Sequence, residues 1–161
     1  MTINLTLKMA DIFFELTQTQ LDLIAAISSE KTYQPGDIIF EENSPSSELY
    51  IIDDGEVEIQ VDPDLVGKEA GREPQTIARL RRGQSFGEVA LVDEGVRSAR
   101  ARCAYENTRL VIIPREKLMR LCDTDPSMGY RLMRNLAADL AMKIRNTDLQ
   151  MREYLTWTRR P

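Results

Sequence analysis

Histidine is absent from this chain of 161 residues. With it go the usual general base, the commonest metal ligand and the usual haem ligand, so hydrolytic triads and histidine-based metal sites are excluded. The two cysteines, Cys103 and Cys122, lie too far apart in sequence to form a metal cluster or to suggest a disulfide framework. Free, buried thiols in a reducing compartment are expected instead. No stretch approaches the roughly 18 apolar residues of a membrane span. The opening MTINLTLKMADIFF has no basic region followed by an apolar run, so the expected location is cytoplasmic. Positive charge is also in short supply. At a formal net charge of −5 the whole molecule has no electrostatic reason to seek nucleic acid or an anionic membrane.

A hydrophobic content of 42% over this length is enough to bury one real core. The expectation is a single domain over 1–161, with N-terminal helices over 1–30, a β-roll over 31–115 and C-terminal helices over 116–161. Charge is uneven along it. From Pro126 onward Arg131, Arg134, Lys143, Arg145, Arg152, Arg159 and Arg160 outnumber Asp139, Asp148 and Glu153, which leaves the remainder acidic.

Between Asp11 and Ile27 the placing of Phe13, Phe14, Leu16, Leu21, Leu23, Ile24 and Ile27 predicts two short amphipathic helical turns, the second capped by Thr19. From Tyr33 the pattern changes to short apolar runs divided by turn signals. QPGD precedes IIF, EENSPSS is a polar loop, and LYIIDDGEVEIQV reads as a hairpin around Asp54-Gly55. Residues 62–75 read as a long polar loop, and Ala99, Ala101 and Cys103 alternate with Ser98, Arg100 and Arg102. Many short strands imply an antiparallel β-barrel or roll, mainly β with flanking helices. Asp125-Pro126 marks a helix start, and Met133, Leu136, Leu140, Ile144, Thr147, Met151 and Tyr154 recur at helical spacing as one long amphipathic helix.

The stretch that carries chemistry is FGEVALVDEGVRSA, residues 86–99. Gly87 permits a backbone conformation that other residues resist, and Glu88-Val89-Ala90-Leu91 then suits one helical turn. The first amides of such a turn lack internal partners and stabilise a small anion such as a phosphate. Arg97, returning on the next strand, supplies a planar fork for phosphate oxygens. A carboxylate beside a bound anion needs a hydrogen-bond donor on the ligand, and a hydroxyl is the natural one. A ribose phosphate offers both groups.

The same stretch resembles the phosphate-binding cassette of cyclic nucleotide-binding domains: F-G-E, a small-apolar pair, a variable turn, then R-[S/T/A]-A. FEENSPSSELYIIDDGEVEIQV is similar to that family's first hairpin, DIFFELTQTQLDLIAAI to its N-terminal helices, and LVIIPREKLMRLCDTDP to its last strand and terminal helices. The resemblance implies an antiparallel, jelly-roll-like β-roll binding cyclic AMP or cyclic GMP as ligand, with no cofactor. It implies that Glu88 accepts the ribose 2′-hydroxyl, that Arg97 and the amides of Val89 and Ala90 hold the cyclic phosphate, that Ser98 adds a hydroxyl contact, and that Gly87 and Ala99 leave room. The family usually has glycine where Asn43-Ser44 stands, a mild change because Asn tolerates the same backbone region. Arg100 stands where smaller or apolar residues are common; it either contacts the base or faces water.

The expected function is a sensor or regulatory module, not an enzyme, acting through its terminal helix. That helix is longer than a small roll can cover, which favours a parallel helix pair in a homodimer, flanked by Arg131, Arg134, Lys143 and Arg145; the competing reading folds the basic helix back on the acidic body. Tyr154 and Trp157 either cap a base or anchor the dimer. No helix-turn-helix follows before Pro161, so regulation by dimerisation or of a protein partner in trans is expected, without DNA or membrane. The rivals are a degenerate roll that binds no nucleotide and serves as a scaffold, and a cupin-type enzyme, which the missing histidines oppose.

Overall fold

A computed structural model of the chain describes residues 2–45, 47–62, 73–93 and 95–158. Helices α1 (Thr2–Met9) and α2 (Gln18–Ile27), with a 3-10 turn at Asp11–Phe13 between them, lead into strands β1 (Ser29–Tyr33), β2 (Ile38–Phe40), β3 (Glu48–Asp54), β4 (Glu56–Val61), β5 (Gln75–Arg81), β6 (Ser85–Phe86), β7 (Arg100–Cys103) and β8 (Thr108–Pro114). A second 3-10 turn, Glu88–Leu91, follows β6, and helices α3 (Arg115–Thr124) and α4 (Pro126–Thr158) close the described chain.

The strands form two antiparallel four-stranded sheets, ordered β1-β8-β3-β6 and β2-β7-β4-β5. Successive strands such as β3 and β4 therefore belong to different sheets. This corrects the hairpin reading around Asp54-Gly55: β3 pairs with β8 and β6, whereas β4 pairs with β5 and β7. Gly55, at φ 93°, is a corner where the chain passes from one sheet to the other. The adjacent-strand hairpin is β4–β5, with Val61 opposite Gln75; the loop joining them falls mostly outside the described residues.

Two cores follow from the strand period. On β3, Leu49 and Ile51 face the helices while Tyr50 and Ile52 face the inside of the roll, and on β8 Val111 and Ile113 are set against Leu110 in the same way. These strands are buried on both faces, so they read as unbroken apolar runs. By contrast β7 buries only Ala101 and Cys103. Its Arg100 and Arg102 are on the outer face, as the alternation predicts, but they are half-buried rather than solvated: Arg100 donates twice to Gln60 Oε1, at 2.8 and 3.2 Å, and Arg102 pairs with Glu58 at 3.4 Å. Both cysteines are free and buried, and burial pushes the Cys122 thiol up.

The helical core joins Leu7, Ile12, Phe13, Leu21 and Ile24 to Leu118, Met128, Leu132 and Leu136. Phe14 and Leu23, expected on the apolar face, are exposed. The cap of α2 is Thr17, not Thr19: its hydroxyl accepts from the Gln20 amide at 3.3 Å while the Gln20 side chain accepts from the Thr17 amide at 3.0 Å, a reciprocal capping box. Thr17→Ala is expected to lower stability by about 1 kcal/mol, read from denaturant unfolding. Asp125 caps α4 as its sequence predicts, accepting from the Met128 amide at 3.1 Å. The Gln20 side chain at 2.8 Å and that amide hold the Asp125 carboxyl below its ordinary value.

At 33 residues α4 is about 50 Å long. Only its first half is covered, with Met128, Leu132 and Leu136 buried and Met133 and Leu140 half-buried. Ile144, Met151, Tyr154 and Trp157 are 62%, 55%, 65% and 74% exposed. The predicted stripe thus divides into a packed beginning and an open end.

Candidate functional site

Phe86 ends β6 inside the roll, and Gly87 turns the chain at φ 75° into the short helical turn Glu88–Leu91. A side chain at Gly87 would put its Cβ 2.6 Å from Arg97 Nη1 and 3.0 Å from the Glu48 carbonyl oxygen. The glycine is needed because the Arg97 guanidinium lies against it. The Ala90 amide donates to the Gly87 carbonyl at 3.2 Å, and Ala90 and Leu91 are buried while the Val89 side chain is exposed. Ser98 is exposed and Ala99 half-buried.

Backbone pairing holds Arg97 in place. Its amide donates to the Ser44 carbonyl and its carbonyl accepts from the Asn43 amide, both at 2.8 Å. Asn43 adopts φ 63°, the left-handed conformation for which asparagine substitutes tolerably for glycine. The Arg97 side chain is buried at 5% exposure. Nη2 donates to the Glu48 carbonyl at 2.9 Å and Nη1 to the Gly87 carbonyl at 3.3 Å, while Nε, also buried, has no hydrogen-bond partner. The guanidinium carbon lies 4.2 Å from the centre of the Phe40 ring and 5.7 Å from that of Tyr50. Tyr50 and Phe86 stack at 5.0 Å, which completes an aromatic floor. Burial lowers the Arg97 pKa, opposed by Tyr50 and by the Glu48 and Glu88 charges, and burial together with the bond to Glu48 pushes the Tyr50 phenol up. Among the described residues no carboxylate forms an ion pair with Arg97.

Glu88 is buried too, at 6% exposure, and it is paired. Lys143 of α4 reaches its Oε1 at 2.8 Å and also contacts the Ser85 carbonyl at 3.2 Å and Asp139 Oδ2 at 2.9 Å. The expectation that Lys143 flanks the exposed stripe is thereby corrected, since it faces the body of its own chain. Arg131 does the same by pairing with Glu15. A shallow cavity of about 190 Å³ is lined by Glu41, Glu42, Asn43, Gln60, Asp62, Pro74 and Arg100, and none of Gly87, Glu88 and Arg97 borders it. The turn beside Arg97, where a buried cation lies against Gly87, is the better candidate on chemical grounds, although the Ala90 amide expected to be free is already bonded to the Gly87 carbonyl. Among the described residues no cluster of acidic or sulfur ligands suits a metal ion.

A family model described as the cyclic nucleotide-binding domain matches residues 30–125. The chain belongs to that family. The domain is 32% identical over 145 residues to the cyclic AMP receptor protein of Thermus thermophilus, covering 90% of this chain and 62% of that protein. The crystal structure of the Thermus thermophilus catabolite activator protein superposes with a TM-score of 0.72 at 31% identity, over 91% of this chain and 63% of that one. Human cGMP-dependent protein kinase 2 is 28% identical over 110 residues, 68% of the domain and 14% of the kinase. The chain thus spans less than two thirds of each of these relatives. No helix among the described residues is long and apolar enough to cross a membrane.

Sequence reasoning names Gly87, Glu88 and Arg97, and the fold brings them together. It misses Phe40 and Tyr50 beneath Arg97, and Lys143 on Glu88. A signal for Lys143 exists: Leu132, Leu136, Asp139 and Lys143 follow the four-three-four spacing of one helical face, so the buried face of α4 continues into an ion pair.

Proposed function

We propose that the domain is a cyclic nucleotide sensor that binds cyclic AMP or cyclic GMP at the Gly87–Ala99 turn and reports occupancy through α4. The observation that carries this reading is Arg97: a guanidinium at 5% exposure, with a buried unpartnered Nε and no carboxylate in ion-pair contact among the described residues. Burying a charge without a counter-ion costs several kcal/mol, a cost that an arriving anion offsets. The cyclic phosphate is that anion, held by Arg97 and the Val89 amide, with the Ala90 amide joining once it leaves the Gly87 carbonyl it now bonds. Ser98 and Ala99 border it, and Glu88 accepts the ribose 2′-hydroxyl.

The response belongs to α4, a two-state element that the ligand biases through its different affinity for the two arrangements. Its exposed stripe, Ile144, Met151 and Tyr154, pairs in a homodimer, and any further partner is a protein in trans rather than DNA or a membrane. The role is regulatory rather than catalytic, and the setting cytoplasmic.

Calorimetric titration of the purified chain with each nucleotide tests the reading, with saturable heat expected for at least one. No heat and no thermal shift with either would favour the scaffold alternative, in which the protein's own side chains fill the site. In the same assay Glu88→Gln is expected to weaken the ribose ligand by about threefold to tenfold while barely changing its 2′-deoxy analogue. Equal losses for both would remove the ribose role from Glu88.

A further inference from the structure

Lys143 Nζ donates to Glu88 Oε1 and to the Ser85 carbonyl oxygen, and it lies in ion-pair contact with Asp139 at 2.9 Å. These groups come from the ligand-binding turn, from β6 and from α4 itself. A lysine held from three elements in this way is a fixture of the site rather than a stray surface charge. Its position matters because Glu88 is buried: a carboxylate there without a cation would either take up a proton or turn away, and in both cases would be a poorer acceptor. With Oε1 bound to Lys143, a carboxylate still has acceptor capacity at Oε2.

We propose that Lys143 is a positioning residue for Glu88, holding the carboxylate as an oriented acceptor, so that selectivity for a ligand 2′-hydroxyl is set from helix α4. This rests on the reading of the Gly87–Ala99 turn as a cyclic nucleotide site. Asp139, one helical turn before Lys143, steers the lysine and is itself mostly buried. Burial opposes the charge on Lys143, but the Glu88 and Asp139 carboxylates outweigh it and raise its pKa, so the ammonium persists.

The test measures calorimetric affinities of the full chain for the tighter-binding of cyclic AMP and cyclic GMP and for its 2′-deoxy analogue. Lys143→Met is expected to weaken the ribose ligand by about fivefold to tenfold and the deoxy analogue by less than about twofold, so that the preference for ribose collapses. Lys143→Arg is expected to restore much of it. Asp139→Asn, which loosens the lysine without touching Glu88, is expected to lower the preference in the same direction and keeps the test open if the Met variant unfolds. Equal losses for the two ligands overturn the proposal, and so does tighter binding by Lys143→Met, which would make the lysine a plug that the ligand displaces. A wild-type chain that binds neither nucleotide overturns the sensor reading itself. A wild-type ribose preference that survives Lys143→Met overturns this proposal alone.

Discussion

Arg97→Ala is expected to weaken cyclic nucleotide binding by about 1.5–3 kcal/mol, roughly tenfold to more than a hundredfold, in a calorimetric titration against the wild-type chain. The size follows from burial. At 5% exposure the guanidinium acts where water screens poorly, and a charge-assisted bond to phosphate is correspondingly strong. Folding stability is expected to change much less. The bonds to the Glu48 and Gly87 carbonyls are lost, but so is the desolvation of a buried charge that, among the described residues, no carboxylate meets in an ion pair. Thermal unfolding of the same samples separates the two effects. Arg97→Lys keeps the charge but not the fork and is expected to recover only part of the affinity. Unchanged binding by Arg97→Ala would remove the phosphate from this site.

Gly55→Ala is expected to cost about 2–4 kcal/mol of folding stability, seen as a lower denaturant midpoint with an unchanged slope. The corner between β3 and β4 requires φ 93°, where an L side chain is strained. A Cβ there would also stand 2.2 Å from the Thr108 hydroxyl oxygen and 2.8 Å from the Thr108 Cα. Thr108 is fully buried, and its hydroxyl donates to the Tyr105 carbonyl at 2.7 Å and accepts from the Glu56 amide at 3.3 Å, so it cannot yield cheaply. A loss below about 1 kcal/mol would mean that the corner relaxes more freely than this packing allows.

The parts of this molecule that read correctly in one dimension are those governed by local chemistry. Asp125-Pro126 starts a helix because a cap and a missing amide act within one turn, and Gly87 opens the short turn Glu88–Leu91 because the chain there takes a positive φ. Errors arise where distant packing decides. Asp54-Gly55 has the composition of a hairpin turn, but each flanking strand finds better partners in a separate sheet. Thr17 and Thr19 are equivalent as caps by residue type, and only the reciprocal bond from Gln20 distinguishes them. Lys143 looks like one more charge on a basic helix until Glu88 is seen to lie beneath it.

Beyond Lys143 the described part of α4 runs a further 15 residues to Thr158, or about 22 Å. It is a cantilever whose fulcrum is the ammonium on Glu88. A tilt of about 10° at that fulcrum sweeps the far end by about 4 Å, more than the roughly 1–2 Å helix shifts that switch subunit interfaces. If Glu88 binds the sugar as proposed, an ångström-scale adjustment there would be magnified at Tyr154 and Trp157 by leverage, with no rearrangement of the sheets.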